Sequence, residues 1–316
     1  MTSDRARTSN QPIYSVPMPE SISPMTVAIT TLGRPEALER CLRSLADGST
    51  VPAEVIVVDQ APEQTANPVV AGADGLPAVR YVHDEGTGLG RGQNLAVRAA
   101  TQAGVAVLDD DCVADGHWVE TAHRLLDRDG LQLVGGRVLP LPDSRPGVVP
   151  VSSRTSEHRL EFRGRSAPLD VGSGNNFAFR REWFERIGGC DERLGPGSPG
   201  RGGLDMDLFY RLLRAGARGR YEPDLIVYHE QKHPEGRLAR RGAYGFGMAA
   251  ACALWLHEGS DRYALRVFGE WLVLRGRRLA TAVYRRRWKA AYEELLVLGG
   301  TALGAVHGLR VARRAA

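Results

Sequence analysis

Short apolar segments alternate with helical segments along the first third of this chain, and this alternation limits the folds open to it. Four such segments, rich in β-branched residues, lie at 26–31, 54–58, 79–82 and 105–108. Apolar residues at helical spacing follow the first of them, at Leu38, Cys41, Leu42 and Leu45. Near-continuous apolar strands separated by helices are typical of a parallel sheet covered on both faces. The pattern predicts an α/β fold with an open, mostly parallel sheet and helices on both faces.

Three parts of the chain differ in composition. Residues 1–24 are polar and contain prolines, which predicts a flexible N-terminal tail. Residues 25–232 carry the strand and helix pattern, and residues 233–316 predict a basic amphipathic helical extension. Because 43% of the residues are apolar and 25% are charged, the chain is neither disordered nor collagen-like.

The predicted location is the cytoplasm. No basic start followed by an apolar core indicates a secretion signal. The longest uncharged stretches of the C-terminal part, 242–257 and 295–309, have 16 and 15 residues, fewer than the ~20 of a membrane-spanning helix. The cysteines form no C-x-x-C pair, which argues against zinc and fits a reducing compartment; they are Cys41, Cys112, Cys190 and Cys252.

The net charge of +4 is unevenly distributed. Residues 260–316 hold 12 Lys or Arg and 4 Asp or Glu, so this part carries +8 and the rest of the chain −4. Its cations alternate with apolar and aromatic residues, such as Trp271, Leu272, Val283, Tyr284 and Trp288, which suits the anionic inner face of a membrane. Packing on the main domain or a homodimer contact is an equal alternative. No stacking-aromatic stripe or recognition motif indicates nucleic-acid binding.

Three consecutive carboxylates, Asp109, Asp110 and Asp111, follow the fourth predicted strand. One aspartate at a strand end is an ordinary turn former, but three neighbours repel each other unless a cation or hydrogen-bond donors compensate them. In an extended segment Asp109 and Asp111 point the same way. Carboxylate oxygens suit Mg²⁺ or Mn²⁺ together with substrate phosphates. The spacing therefore predicts a metal site at the carboxyl edge of the sheet, where α/β folds bind ligands.

Two further segments have both a functional and a structural interpretation. The glycine-rich segment 86–94 does not fit G-x-G-x-x-G and follows the third strand, which excludes a dinucleotide fingerprint. Either its backbone approaches a nucleotide, with Arg91 near the phosphates, or it is a flexible loop. Asp205 and Asp207 begin a helix after the glycine-rich loop 195–203. They either complement the helix N-terminus or, for Asp205, provide a general base.

Taken in order, these residues resemble family 2 inverting glycosyltransferases of the GT-A fold, in the nucleotide-diphospho-sugar transferase superfamily. The resemblance covers about residues 25–230. It rests on Thr31 and Arg34, Asp59, 88–94, 109–111, 174–176 with Arg180 and Arg181, 189–195, 205–211, and His229. The resemblance implies a metal-dependent transfer of a sugar from a nucleotide-diphosphate sugar to an acceptor hydroxyl, in cell-envelope polysaccharide or glycoconjugate biosynthesis.

The resemblance also implies roles for individual residues. Asp205 is the expected base. The expected metal ligands for Mg²⁺ or Mn²⁺ are Asp109, Asp111 and His229, although His229 is equally explained as a structural residue at a strand end. The expected acceptor-binding residues are Asn175 and Asn176, and the expected donor-binding residues are Thr31, Arg34, Asp59, Arg91, Asn94, Asp109 and Asp110. The acceptor is a glycan, a lipid-linked molecule or a small molecule.

Two departures from the family pattern leave alternatives open. Gln60 stands where relatives have a second acid or asparagine, and Leu204 replaces the glutamate that precedes the base. A non-catalytic sugar-nucleotide-binding or scaffold protein is favoured by Leu204. A nucleotidyltransferase would share the sheet and the metal aspartates, but 31–35 poorly matches its glycine-rich basic loop.

Overall fold

The structure is a computed structural model, and it describes residues 21–143 and 145–315. Most of the predicted N-terminal tail, residues 1–20, lies outside the described residues. The last four residues of that predicted tail, 21–24, instead belong to the first strand. The strand therefore begins earlier than the apolar run at 26–31 indicated.

The N-terminal half alternates strands and helices, as the apolar periodicity predicted. Its elements are β1 (Ser21–Thr31), α1 (Pro35–Ala46), β2 (Thr50–Asp59), α2 (Asn67–Ala71), β3 (Val79–His83), α3 (Leu89–Ala99) and β4 (Gly104–Leu108). The remaining elements are β5 (Cys112–Ala114), α4 (Trp118–Asp127), β6 (Leu133–Pro140), β7 (Leu160–Arg163), a 3-10 helix (Pro168–Asp170), β8 (Asn176–Arg180), α5 (Arg181–Arg186), α6 (Leu204–Arg214), β9 (Arg218–His229), α7 (Arg237–His257), α8 (Tyr263–Tyr284) and α9 (Trp288–Ala315).

One nine-stranded sheet organises these elements. Its order is β3-β2-β1-β4-β8-β6-β9-β5, and β7 pairs with β9. The run β3-β2-β1-β4 is parallel, whereas β8 is antiparallel to both β4 and β6. Apolar residues pack on both faces of the sheet in two clusters. The predicted α/β class, with a covered open sheet and a C-terminal helical part, is confirmed.

The segment 136–169, rich in proline and arginine, contains the end of β6 and the whole of β7. β6 continues to Pro140 along β9, and β7 is a third partner of β9, after β6 and β5. β6 has no clear apolar alternation, and the alternation of β7, LEFR, extends over only four residues. Gly135 lies so close to Val171 that an added Cβ would stand 1.9 Å from the carbonyl oxygen of that residue. Backbone packing rather than side-chain periodicity therefore defines this part of the sheet.

Parallel pairing brings the carboxyl ends of several strands to one edge. Thr31 at the end of β1 pairs with Asp59 at the end of β2, and Asp59 pairs with His83 at the end of β3. β4, on the other side of β1, ends at Leu108. The polar residues that follow these strands therefore meet along one edge of the sheet.

The C-terminal helices share a hydrophobic cluster with the sheet. Trp271 of α8, predicted as part of an amphipathic surface, is fully buried in this cluster, and its neighbour Arg275 is also buried. α7 contacts α6 through the indole of Trp255, whose Nε1 donates to Asp207 Oδ1 at 2.8 Å and whose ring stacks on Tyr210. Packing on the main domain, one of the two sequence-based alternatives, is therefore observed for part of the extension.

α7 and α9 pack backbone against backbone. An added Cβ on Gly300 would stand 2.1 Å from the carbonyl oxygen of Gly242, and one on Gly304 would stand 2.0 Å from that of Phe246. Small residues at these positions let two helices approach closely. Within the described residues, Trp288–Ala312 of α9 is long and apolar enough to cross a membrane by length and composition, a test that buried helices of soluble proteins also pass.

The helix contact predicts opposite effects for two glycines of α9. Gly304→Ala forces the α7 backbone away, so we expect the free energy of unfolding to fall by about 1–3 kcal/mol. A Cβ added to Gly299 would have no other atom within 4 Å. Gly299→Ala should therefore raise the free energy of unfolding by up to about 1 kcal/mol, because alanine has the higher helix propensity. Chemical denaturation of both variants measures their free energies of unfolding. Equal changes in the two variants would contradict the close contact between α7 and α9.

Candidate active site

Three aspartates follow β4 at the carboxyl edge of the sheet, and each has a different environment. Asp110 is fully buried. Its Oδ2 accepts a 2.6 Å hydrogen bond from Thr31 Oγ1, and its Oδ1 lies 2.6 Å from Nη2 of Arg34. Burial raises the pKa of Asp110 to about 6, although Arg34 and Thr31 oppose the rise. Asp110 therefore ties β4 to β1 rather than facing the cleft.

Asp111 is the most strongly compensated of the three carboxylates. Its Oδ2 accepts hydrogen bonds from Arg34 Nη1, at 2.7 Å, and from Lys232 Nζ. Nε2 of His229 lies 3.3 Å from Oδ1. Burial alone would raise the pKa of Asp111, but His229, Arg34 and Lys232 together hold it well below its ordinary value. Asp111 is therefore ionised at neutral pH.

The β5–β9 pairing explains why His229 reaches Asp111. Cys112 pairs with His229 across the two strands, and the amide of Glu230 donates to the carbonyl of Asp111 at 3.0 Å. The chain beyond β9 therefore runs past the triple aspartate and brings Lys232 to it. His229 therefore lies beside Asp111, and its predicted role as a metal ligand stays a prediction.

Asp109 is the least buried and the least compensated of the three aspartates. It is partly exposed, and among the described residues no hydrogen bond or ion pair engages its carboxylate. Its partial burial, together with the charges of Asp111 and Asp110, raises its pKa well above the ordinary value. A cation, or a hydrogen-bond donor on a substrate, would reduce this repulsion. Of the three carboxylates, Asp109 is therefore the one that can bind a ligand without losing an internal partner.

The donor set fits a divalent cation. Oδ1 of Asp111 and Nδ1 of His229 are buried without a hydrogen-bond partner among the described residues, and ligand atoms of Asp111, Cys112 and His229 lie within 4.8 Å of one another. Burial keeps the Cys112 pKa well above its ordinary value, so this thiol is protonated and is a poor ligand. Oxygen and imidazole donors suit Mn²⁺ or Mg²⁺.

Asp205 lies at the start of α6 and borders the same cleft. Two residues before it, Gly203 has a φ of +79°. A Cβ added to Gly203 would stand only 2.5 Å from the carbonyl oxygen of Gly247 on α7. Asp205 Oδ2 accepts from the amide of Gly174 and its Oδ1 from the amide of Met206, both at 3.0 Å. Burial raises its pKa despite these bonds. The charge of Asp205 contributes to the raised pKa of Asp109, so the two carboxylates are within electrostatic reach.

The two predicted acceptor-binding amides have different positions. Asn176 is fully buried: its Oδ1 accepts from Trp118 Nε1 at 2.8 Å, and its Nδ2 donates to the carbonyls of Arg137 and Leu225. Asn176 is therefore a structural residue, which corrects the prediction. The preceding residue, Asn175, has a buried amide without a hydrogen-bond partner in the described part of the chain. Since Asn176 pairs with Leu108, Asn175 lies next to Asp109.

Three predicted donor-binding residues do not present free side chains to the cleft. Asp59 is fully buried and accepts from the amides of Ala61 and Ala66, so it shapes the loop after β2. Asn94 is buried and bonds both the amide and the carbonyl of Cys190. These positions contradict the direct roles predicted for Asp59 and Asn94, because internal hydrogen bonds already use both side chains.

The third of these residues, Arg91, is paired within the protein. Its guanidinium binds Asp84, which follows the edge strand β3, with contacts of 2.8–3.0 Å. β3 is three strand positions from β4, or about 14 Å. Arg91 therefore does not join the group around the triple aspartate, which contains Thr31 and Arg34 as predicted.

Two residues of the site were not predicted. Lys232 lies three residues after His229, and a lysine so close to a predicted metal-binding histidine was the available signal. Tyr244 lies on α7 directly after Ala243, whose carbonyl oxygen would stand 3.1 Å from a Cβ added to Gly202, shortly before α6; burial and the charge of Asp205 raise its pKa. Nothing in the sequence around Tyr244 marks it, because a tertiary contact brings it there.

Comparison with known proteins gives one family. The profile described as "Glycosyl transferase family 2" matches residues 26–188, about half of the chain. The chain is 30% identical over 241 residues to the pre-mycofactocin glycosyltransferase of Mycobacterium tuberculosis, covering 73% of this chain and 47% of that protein. It is 26% identical over 247 residues to the hyaluronan synthase of Pasteurella multocida, covering 67% of this chain and 25% of that protein. The chain thus spans half or less of these relatives.

A solved structure has the same fold. The mannosyltransferase PcManGT from Pyrobaculum calidifontis, in complex with GDP-Man and Mn²⁺, superposes with a TM-score of 0.57 at 17% identity. The match covers 94% of this chain and 91% of that one, so it includes the C-terminal helices as well as the sheet.

The hydrogen bonds of Asn176 predict a stability effect that an acceptor-binding residue would not have. Asn176→Ala removes three buried hydrogen bonds, and we expect the free energy of unfolding to fall by about 2–4 kcal/mol. Asn175→Ala removes an amide without a hydrogen-bond partner in the described part of the chain, so it should change the free energy of unfolding by less than about 1 kcal/mol. Denaturant titration of the two variants provides the comparison; similar losses for both would refute the assignment.

Proposed function

Because the chain belongs to glycosyl transferase family 2, we propose that it transfers a sugar from a nucleoside-diphosphate sugar to an acceptor hydroxyl with inversion at the anomeric carbon. The observation that carries this proposal is the position of Asp205. This partly exposed carboxylate stands at a helix N-terminus and accepts from the amide of Gly174, one residue before Asn175, which lies next to Asp109. A base beside carboxylates that can hold a charge-compensating cation is what a displacement of a nucleoside diphosphate requires.

The donor side of the proposed site is the edge around the triple aspartate. Asp109, Asp111 and His229 would hold Mg²⁺ or Mn²⁺, which when bound neutralises charge on the leaving diphosphate. Arg34 and Lys232 flank the same carboxylates and add two positive charges of the chain itself. Arg34 is 43% exposed, so its guanidinium can also reach a phosphate oxygen.

The proposed reaction is one displacement. Asp205 accepts the proton of the acceptor hydroxyl as the acceptor oxygen forms a bond to the anomeric carbon. The bond from that carbon to the diphosphate oxygen breaks on the opposite face, and its electron pair leaves with the nucleoside diphosphate. A single displacement at carbon inverts the configuration. Asn175 and Tyr244, near Asp109 and Asp205 respectively, are the proposed contacts of the acceptor sugar.

The replacement at position 204 does not favour a non-catalytic protein. Leu204 is 4% exposed and packs against Gly90 and Gly195, in the cluster between α6 and α3. A side chain in this position anchors the start of α6 and does not line the cleft. The orientation of Asp205 is maintained by its own backbone contacts, so the loss of a glutamate at 204 leaves the proposed base in place.

The base assignment predicts a rate effect and a change in pH dependence. Without acceptor, wild-type protein with Mn²⁺ should hydrolyse one sugar nucleotide of a panel, with water in place of the acceptor. Asp205→Asn should keep nucleotide binding and lower this rate by about 10²–10⁴-fold. Only the ionised carboxylate accepts a proton, so the wild-type rate should fall as the pH drops through the raised pKa of Asp205, above the ordinary 3.8. The variant should lack this acidic limb.

The matched control for this experiment is Asp224→Asn, which changes an exposed aspartate of β9 in the same way. It should retain the rate and the pH profile of the wild type. Hydrolysis that is unchanged in Asp205→Asn would refute the assignment of the base, and an absence of hydrolysis in every sample would favour a binding protein.

The metal assignment predicts a change in ligand binding that can be measured without turnover. In wild-type protein, Mn²⁺ should strengthen the thermal stabilisation by GDP or UDP; a ligand at 100 times its Kd adds about 2.7 kcal/mol. Asp111→Asn should remove the Mn²⁺-dependent part of this shift, because a ligand carboxylate is lost. Asp127→Asn, at an exposed aspartate of α4, should keep it. Retention of the full shift in Asp111→Asn would exclude this residue as a metal ligand.

A further inference from the structure

The exposed apolar residues of this protein concentrate on two helices. In the described part of the chain, eleven of the sixteen exposed large apolar side chains belong to α8 and α9. The other five are spread over the rest of the described chain, so the exposed apolar residues are concentrated on these two helices. Single exposed apolar residues are ordinary, but a continuous exposed set marks a surface that something covers.

The outer face of α9 is an uninterrupted apolar stripe. Tyr292, Leu295, Gly299, Leu303 and Val306 recur at positions i, i+3, i+7, i+11 and i+14, which lie on one side of a helix, and all five are exposed. The stripe is about 21 Å long at 1.5 Å per residue. The opposite side of α9 packs on α7 through the glycine contacts described above. α9 is therefore held on the protein by one face and is apolar on the other.

α8 has the same arrangement. Its inner face carries Val267 and Trp271, which are buried, while Leu265, Leu272 and Val283 of the outer face are exposed. The turn that joins α8 to α9 carries the consecutive residues Arg285, Arg286 and Arg287, all exposed. On either side of this turn stand two of the most exposed aromatic side chains, Tyr284 at 88% and Trp288 at 66%.

Two grooves at this turn are lined by cations. One, of about 300 Å³ between α8 and α9, is lined by Arg277, Arg278, Arg285 and Arg287, with Glu294 as the acid. The other, of about 380 Å³, is lined by Arg237, Arg287, Trp288 and Lys289, with Glu293 as the acid. Glu293 and Glu294 are already paired with Arg237, Arg241 and Arg275. The grooves therefore keep an excess of positive charge that suits phosphate groups.

We propose that α8 and α9 dock this protein on an anionic lipid bilayer, with the apolar stripes at the acyl boundary and the basic turn among the headgroups. Aromatic, basic and apolar residues combine in this way on interfacial helices. Because α9 is bound to α7 along its inner face, it lies on the membrane surface and does not span it. This inference does not depend on the transfer reaction.

Charge argues against a second copy of the chain as the occupant. If two copies paired parallel through α9, the two arginine turns would meet. If they paired antiparallel, each turn would meet the other end of α9, where Arg310 is exposed. Both arrangements place cations against cations, which costs free energy in a desolvated contact. An anionic bilayer compensates the same charges.

The test is flotation of the full chain with vesicles of phosphatidylcholine alone or mixed with phosphatidylglycerol. We expect binding to the mixed vesicles at low salt and weaker binding at high salt. Arg285→Gln/Arg286→Gln/Arg287→Gln should lower the partition coefficient on the order of 100-fold, from the contribution of each cation near the surface. A matched triple variant, Arg98→Gln/Arg128→Gln/Arg163→Gln, removes three exposed arginines elsewhere and should bind as the wild type does.

A second pair of variants tests the apolar contribution. Leu295→Ser/Leu303→Ser should weaken binding at both salt concentrations, whereas Ile22→Ser/Leu160→Ser, exposed on other elements, should not. Three results would overturn the proposal: equal binding by the two arginine triples, no preference for phosphatidylglycerol, or a dimer in solution that the serine changes in α9 dissociate. Bound protein that resists alkaline carbonate extraction would overturn the peripheral arrangement. Circular dichroism confirms that each variant is folded.

Discussion

The repulsion among Asp109, Asp110 and Asp111 is the constraint around which this end of the molecule is organised. Three carboxylates follow a fully buried strand, so water cannot screen them all. Two of them are compensated by Thr31, which ends β1, and Arg34 beyond it, and by His229, which ends β9, and Lys232 beyond it. Distant segments are thereby held at one sheet edge. The third carboxylate, Asp109, has no compensating partner among the described residues, and a cation bound at this edge would stabilise its charged form.

The strand ends and the aspartate triplet could be predicted because they depend on local patterns. Buried β-branched runs define β1, β2 and β4, and the carboxyl ends of parallel strands share an edge. The direction of each polar side chain could not be predicted in the same way. Asn175 and Asn176 are adjacent, yet only Asn176 is built into the interior, through Trp118 and two carbonyls. Asp59 and Asn94 lie where the sequence predicted them. The side chain of each, however, is hydrogen-bonded to the backbone of a loop, and the conformation of that loop could not be predicted from the sequence.

The second half of the sheet was harder to predict for a related reason. β6 is held by the backbone approach at Gly135 and by pairing with β9, and it has no apolar periodicity. β7 also pairs with β9, and its apolar alternation covers only four residues. Lys232 shows the opposite case. It is near a predicted ligand in the sequence, and its contact with Asp111 follows from the β5–β9 pairing alone. Tyr244 depends on the packing of α7 against α6, which no local pattern reveals.

That packing links the C-terminal helices to the proposed chemistry. Gly203, the residue before α6, touches Gly247 of α7, and the indole of Trp255 binds Asp207 two residues beyond Asp205. α7 in turn is joined to α9 by the glycine contacts at Gly300 and Gly304. The start of α6 is therefore fixed by the same helices whose outer faces are apolar and basic. If those faces rest on a bilayer, the cleft with Asp205 takes a fixed orientation relative to the membrane. This orientation would favour acceptors presented at the lipid surface over those in bulk solution.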